Sequence, residues 1–240
     1  MPTEEIKCTY VCGLDLGKRH DPAVLAILQV RTIRTLPIPI HMINTAGRLP
    51  MVTSTQRMYV LKTLKRWALG TSYVTIAADV ASIMANPNLQ RHGVHKEGSF
   101  QRPLTQAPAD PSLVVDATGV GEPVIDYLKS LHLQPVPIVF TPGETQHYTN
   151  VPKQDIIDAL QMAMAKGEFK ISKDLATLSV FHKELQNFRA TRTGSGRTTM
   201  AAVTGHDDTV LSTALGVWFA QQEAKKPVFL PNRPVNIYAR

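Results

Sequence analysis

The sequence predicts an α/β protein with a mixed sheet, in which antiparallel hairpin strands come first, parallel strands follow, and helices cover both faces. Two observations carry this. "CTYVCGLDLG" (8–17) and "AVLAILQV" (23–30) are apolar runs of strand length joined by the turn "KRHDP", which reads as a hairpin. Further on, "SLVVDATGVGEPVIDYLKSL" (112–131) gives a buried strand, a glycine turn and a helix. "PVPIVF" (135–140) then gives another strand, which makes a parallel crossover unit.

The first strand alternates and is rich in β-branched and aromatic residues, and it ends at Asp15 before Gly17. Its two cysteines, Cys8 and Cys12, share one face at period two and are too far apart for a disulfide. No second Cys/His pair completes a zinc spacing, so they read as reduced core residues. The run at 23–30 is apolar almost without interruption, as in a strand buried on both faces. Residues 33–56 hold Pro37, Pro39 and Pro50 with little periodicity and read as an irregular excursion. "YVLKTLKRW" (59–67) fits a third strand, although Val60, Leu61, Leu64 and Trp67 also fit a helical stripe.

"TSYVTIAADVASIM" (71–84) reads as a helix after a Thr/Ser cap, with Asp79 exposed. Residues 86–111 are polar, carry four prolines and read as a long loop. "PKQDIIDALQMAMAKG" (152–167) begins with proline and stops at glycine, as a helix does. In "DLATLSVFHKELQNF" (174–188), Leu175, Leu178, Phe181, Leu185 and Phe188 form one helical stripe. "RATRTGSGRTTMAAV" (189–203) reads as a basic hairpin with Gly194-Ser195-Gly196 at its tip, and "HDDTVLSTALGVW" follows as an apolar helix. The expected organisation is one domain over 1–222, with excursions at 33–56 and 86–111, and an extended tail over 223–240.

The chain has 240 residues, 43% of them hydrophobic, and a formal charge of +7. That balance favours a polyanionic partner such as nucleic acid and makes the few acidic residues informative. There is no apolar run of 18 or more residues and no charged-then-apolar leader at the N-terminus. The reading is therefore a cytoplasmic protein without a membrane span.

Three acidic positions share a logic. Asp15 ends the first strand, Asp116 ends the parallel strand, and Asp207 and Asp208 open the last helix. Carboxylates at adjacent strand ends converge outside the sheet's carboxyl edge, where open α/β sheets place ligands. Several carboxylates gathered there need a counter-charge, or repulsion raises their pKa values and pushes them apart. Oxygen-only ligation suits Mg²⁺ or Mn²⁺, and two such ions would clamp the attacking and leaving oxygens of a phosphodiester. Each position also has a structural role open to it: Asp15 as a strand end, Asp116 as a turn former, Asp207 or Asp208 as a helix cap.

Other residues fall around this proposed site. Gly119 and Gly121 shape the turn after Asp116, and Gly17 the turn after Asp15. His206 is a candidate further ligand or base, with a plain turn residue as the alternative. Lys153 opens a helix, where its charge does not suit the dipole, and so fits a phosphate-facing role. Lys18, Arg19, Arg189, Arg192 and Arg197 are candidate DNA-backbone contacts. "GLDLGKR" (13–19) mimics a P-loop but has one residue too few between its glycines and Arg19 where Ser or Thr belongs.

These pieces resemble a known family, the nuclease domain of the large terminase subunit of tailed bacteriophages, which has an RNase H-like fold. "GLDLGKRHDPAVLAIL", "RWALGTSYVTIAADVASI", "LVVDATGVGEPVIDYL", "VPKQDIIDALQMAMAKGEFKI" and "HDDTVLSTALGVW" occur in the family's order, over residues 10–31, 57–85 and 112–222. The resemblance implies that Asp15, Asp116, Asp207 and Asp208 are the metal-binding, catalytic carboxylates of a two-metal endonuclease. Its substrate would be concatemeric double-stranded viral DNA, cut during packaging in the host cytoplasm. Its partners would be a terminase ATPase motor domain, a small terminase subunit and a portal. The resemblance also supports 59–67 as a strand. The chain departs from the family in its long excursions and in having no motor ahead of the nuclease, as expected of an excised domain or a stand-alone relative. Three other readings stand beside it: an actin-like or sugar-kinase-like ATPase, a Holliday-junction resolvase, and a non-catalytic DNA-binding packaging module. The first would need a glycine-rich adenosine-binding motif, which residues 160–240 do not offer.

Overall fold

Three long strands form the centre of the sheet. β1 (Thr3–Asp15) and β2 (Val24–Leu36) pair antiparallel over their full length, from Thr3 opposite Leu36 to Asp15 opposite Val24. β3 (Ser54–Arg66) pairs antiparallel with β2, with a bulge at Ile27/Leu28 that adds local twist. The computed structural model describes residues 3–17, 21–36, 54–97, 100–103, 109–141, 150–192, 198–202 and 207–225.

The parallel half follows. β6 (Ser112–Asp116) lies parallel to the second half of β1, and β7 (Pro135–Phe140) lies parallel to β6. The two-residue β8 (Asn150–Val151) extends that edge, and β9 (Phe169–Ile171) runs parallel to β3 on the other. The order is β8-β7-β6-β1-β2-β3-β9, which is the expected mixed α/β sheet. β8 and β9 are too short to register as hydrophobic patterns, and the sequence reading missed both.

Three expectations change. Residues 86–111 are not simply a loop, because they contain a 3₁₀ turn (Pro87–Leu89), β4 (His92–Glu97) and β5 (Phe100–Pro103). β4 pairs antiparallel with Thr3–Cys8 of β1, the half of that edge that β6 does not reach. "HGVHKE" has no apolar alternation because its pairing is supplied by a long neighbouring strand and not by a buried face of its own. The excursion at 33–56 also shrinks, since β2 runs on to Leu36 and β3 begins at Ser54, while 37–53 lie outside the described residues. Residues 223–225 are helical where an extended tail was expected, and 226–240 lie outside the described residues.

Helices cover both faces. α1 (Tyr73–Met84) and α2 (Glu122–Ser130) pack on one, where Tyr10, Cys12, Leu14, Leu25 and Ile27 meet Ile76, Val80, Ile125 and Leu128. Both cysteines are buried free thiols, and burial pushes the Cys12 thiol up to about 12, so they are inert core residues. Asp79, expected to be exposed, is instead half-buried, because it accepts a hydrogen bond from Trp67 Nε1 at 2.8 Å.

On the other face lie α3 (Lys153–Ala165), α4 (Leu178–Asn187) and α5 (Asp208–Lys225). α4 starts four residues later than its apolar stripe suggested. Val11, Val24, Ala26, Leu28 and Val114 face this second core. Every residue of α5 from Asp208 to Ala220 is buried, as befits a helix held between the sheet and other helices. A methyl group on Gly13 would collide with Ser212 O, and one on Gly216 would stand 2.5 Å from Leu28 Cδ1. The two glycines therefore let the α5 backbone lie directly on β1, two residues before Asp15.

Candidate active site

Strand parity places the first two carboxylates. Val11 and Gly13 of β1 face α5, so Asp15, two residues on, is on the same face. Val114 of β6 faces α5 as well, which carries Asp116 to that face. Parallel pairing sets Asp15 beside Asp116 in register. Both are buried, at 8% and 9% exposure, on the carboxyl edge of the sheet.

α5 brings the second pair. Leu211 N–H donates to Asp207 O at 2.8 Å, so Asp207 is the N-cap residue and Asp208 the first residue of the helix. Asp208 is 5% exposed, while the Asp207 side chain turns outward enough for Lys153 Nζ, at the start of α3, to reach Oδ2 at 3.1 Å. The sequence left open which aspartate lies closer to the strand ends. Of the two, Asp208 acts more strongly on the Asp15 carboxyl.

The four carboxylates act on one another. Burial holds the Asp15 carboxyl well above its ordinary 3.8, and the negative charges of Asp116, Asp208 and Asp207 push it further, with Lys153 opposing them. Among the described residues no three His, Cys, Asp or Glu side chains converge tightly enough to make a ready-formed metal cage. A divalent cation would offset the repulsion that Asp116, Asp208 and Asp207 exert on Asp15. The donor set is oxygen-only and negatively charged, which fits hard ions such as Mg²⁺ and Mn²⁺.

Asp116 also shapes the backbone. Its Oδ1 accepts from Thr118 N–H at 2.8 Å, and Thr118 Oγ1 accepts from Phe140 N–H at 2.8 Å, which ties the turn to β7. Gly119 and Gly121 follow at φ +71° and +82°, left-handed values that favour glycine, and Gly121 leads into α2. A side chain on Gly17 would strike Asp21 and Pro22, so that glycine closes the chain between β1 and β2.

One residue was missed. Glu184 of α4, 7% exposed, accepts hydrogen bonds through Oε2 from both Thr209 N–H (2.9 Å) and Thr209 Oγ1. The signal was present, because Glu184 falls at i+3 from Phe181 and i−4 from Phe188, a charge within an apolar stripe. Lys18, Arg19, His206 and Arg197 lie outside the described residues. Arg189 and Arg192 fall on β10 (Phe188–Arg192), which pairs antiparallel with β11 (Thr198–Ala202) in the expected hairpin. A cavity of about 500 Å³ lined by Lys7, Arg34, Arg57 and Arg91 lies toward the opposite end of β1 and includes none of the four aspartates.

No family model matches the chain. Large terminase subunits of Thermus phage G20c and Thermus virus P23-45 are each 33% identical over 116 residues, covering 47% of this chain and 21% of theirs. The chain thus spans about a fifth of the length of the curated relatives it matches. The solved large terminase nuclease of thermophilic phage G20c with bound magnesium superposes with a TM-score of 0.55 at 21% identity, covering 88% of this chain and 80% of that one. The fold is that of a large terminase nuclease. The same nuclease with bound cobalt gives 0.52, with 88% and 80% covered, and the Thermus phage P74-26 large terminase nuclease domain gives 0.51, with 87% and 78% covered, both at 21% identity. The terminase-nuclease fold is RNase H-like, and its mixed sheet with helices on both faces is the architecture expected from the hairpin and crossover runs. No described helix is long and apolar enough to cross a membrane.

Proposed function

We propose that the chain is a divalent-metal-dependent endonuclease that hydrolyses phosphodiester bonds of double-stranded, concatemeric viral DNA during genome packaging. The observation that carries this reading is the register of Asp15 beside Asp116 on the face where α5 opens with Asp207 and Asp208. Relatives named as large terminase subunits, and the shared fold with nucleases solved with magnesium and cobalt, support it.

In this reading the four aspartates hold two ions, Mg²⁺ or Mn²⁺. Bound ions would lower the pKa of a water to make the nucleophile and would offset the charge developing on the phosphate. Lys153 holds Asp207 in place and presents a positive charge beside the scissile phosphate. Lys18, Arg19, Arg189, Arg192 and Arg197 contact the DNA backbone, and His206 is a further ligand or base. Residues 1–222 with the rest of α5 form one nuclease domain, which works in the host cytoplasm with a packaging ATPase motor, a small terminase subunit and a portal.

The test is cleavage of plasmid DNA by purified protein with Mg²⁺ or Mn²⁺. We expect nicking and linearisation that chelation stops. Intact plasmid across pH and salt with Mn²⁺ present, or a wild-type activity matched by Asp116→Ala, would overturn the reading.

A further inference from the structure

A helix leaves its first backbone N–H groups without intrahelical partners, and the side chain of the N-cap residue ordinarily accepts from the second or third of them. At α5 the N-cap residue is Asp207, yet the N–H of Thr209, the second helical residue, is held by Glu184 of α4. Glu184 also takes the Thr209 hydroxyl, and Thr209 O in turn accepts from Thr213 Oγ1 at 2.7 Å and Ser212 Oγ at 3.2 Å. The first turn of α5 is therefore clamped by a residue 25 positions earlier in the chain. The Asp207 carboxylate meanwhile pairs with Lys153.

We infer that Glu184 is a positioning residue for the metal site: by capping α5 from α4 it fixes the helix start that presents Asp207 and Asp208 toward Asp15 and Asp116. Two physical points support this beyond the contact. A carboxylate at a helix N-terminus is favoured by the dipole, so the cap is strong without using the N-cap side chain. A buried carboxylate otherwise costs folding energy, and here both its hydrogen bonds go to the residue directly after Asp208. The inference rests on the nuclease reading, and the two fail separately.

The experiment is calorimetric titration of Mn²⁺ into the protein without DNA, alongside thermal melting in chelator. We expect Glu184→Ala to weaken Mn²⁺ binding by about 10-fold or more, the effect typical of residues that orient metal ligands. Glu184→Gln keeps an oxygen acceptor and should restore most of that affinity. Thr209→Val keeps the backbone donor and should weaken binding by a smaller factor. Folded Glu184→Ala that binds Mn²⁺ as wild type does, with only its melting temperature lowered, would make the residue structural and sink the inference alone. Should Glu184→Ala not fold, Thr209→Val decides, and wild-type affinity there overturns the inference. Absence of Mn²⁺ binding by the wild-type protein would remove the nuclease reading itself.

Discussion

α1 and α5 open in different ways. Ser72, immediately before α1, accepts from Thr75 N–H with its own side chain, a local cap readable in the sequence. α5 opens on two aspartates, the ordinary cap residues, but its Thr209 N–H is held by Glu184 on another helix. Where a helix end only has to stop, the cap is the residue next door. Where the helix end carries the proposed metal ligands, the acceptor for Thr209 N–H comes from another helix and the Asp207 carboxylate pairs with Lys153.

The largest effect expected from breaking this comparison is at the strand end that α5 faces. Asp116→Ala should lower the cleavage rate about a thousandfold, which is roughly 4 kcal/mol of barrier. A plasmid assay at saturating Mn²⁺ measures it, and a loss under tenfold would remove Asp116 from the chemistry. Next is the seat of the helix. Gly13→Ala would drive a methyl into Ser212 O and should cost about 3 kcal/mol while also lowering cleavage. The counterpart ahead of α1 is Gly70, at φ +80° with nothing near its Cβ position. Gly70→Ala should cost about 1–2 kcal/mol from its left-handed backbone, with cleavage unchanged.

The same contrast decided what the sequence revealed. Alternation, glycine turns and helical periods gave the hairpin, the crossover and all five helices, because each element buries an apolar face that leaves a pattern. β4 and β5 left none, since β4 completes an edge of β1 and "HGVHKE" needs no apolar face to do so. At the site, Asp15 and Asp116 could be placed by strand parity alone. The clamp from Glu184 could not, because it depends on α4 docking against α5. A lone charge in the stripe Phe181, Glu184, Phe188 says that a partner exists without saying which.

A smaller effect separates charge from packing. The Asp15 carboxyl titrates well above 3.8 because of burial and then its acidic neighbours. Its contribution to stability is therefore full below its unfolded value and is lost as pH rises through the folded one. In metal-free protein Asp15→Asn should match wild type near pH 3.8 and become the more stable of the two toward neutral pH. A gain of about 1 kcal/mol corresponds to roughly 2–4 °C in melting temperature at this size. Melting curves across pH check it, and a difference that does not grow with pH would mean the gain is not electrostatic.

The smallest effect is at the local cap. Ser72→Ala removes the acceptor for Thr75 N–H and should cost about 1 kcal/mol, since an exposed N–H regains water. The cost stays in α1, which packs on the face of the sheet away from the aspartates, through Ile76, Ala77 and Val80 against the β1 and β2 side chains. Mn²⁺ affinity and the rate per folded molecule should therefore equal wild type. Equal melting losses from Ser72→Ala and Glu184→Ala, with metal affinity changed only in the second, would separate a cap that only ends a helix from one that aims it. A fall in Mn²⁺ affinity from Ser72→Ala would instead mean that the two faces of the sheet are coupled through β1, and that the division between the helices does not hold.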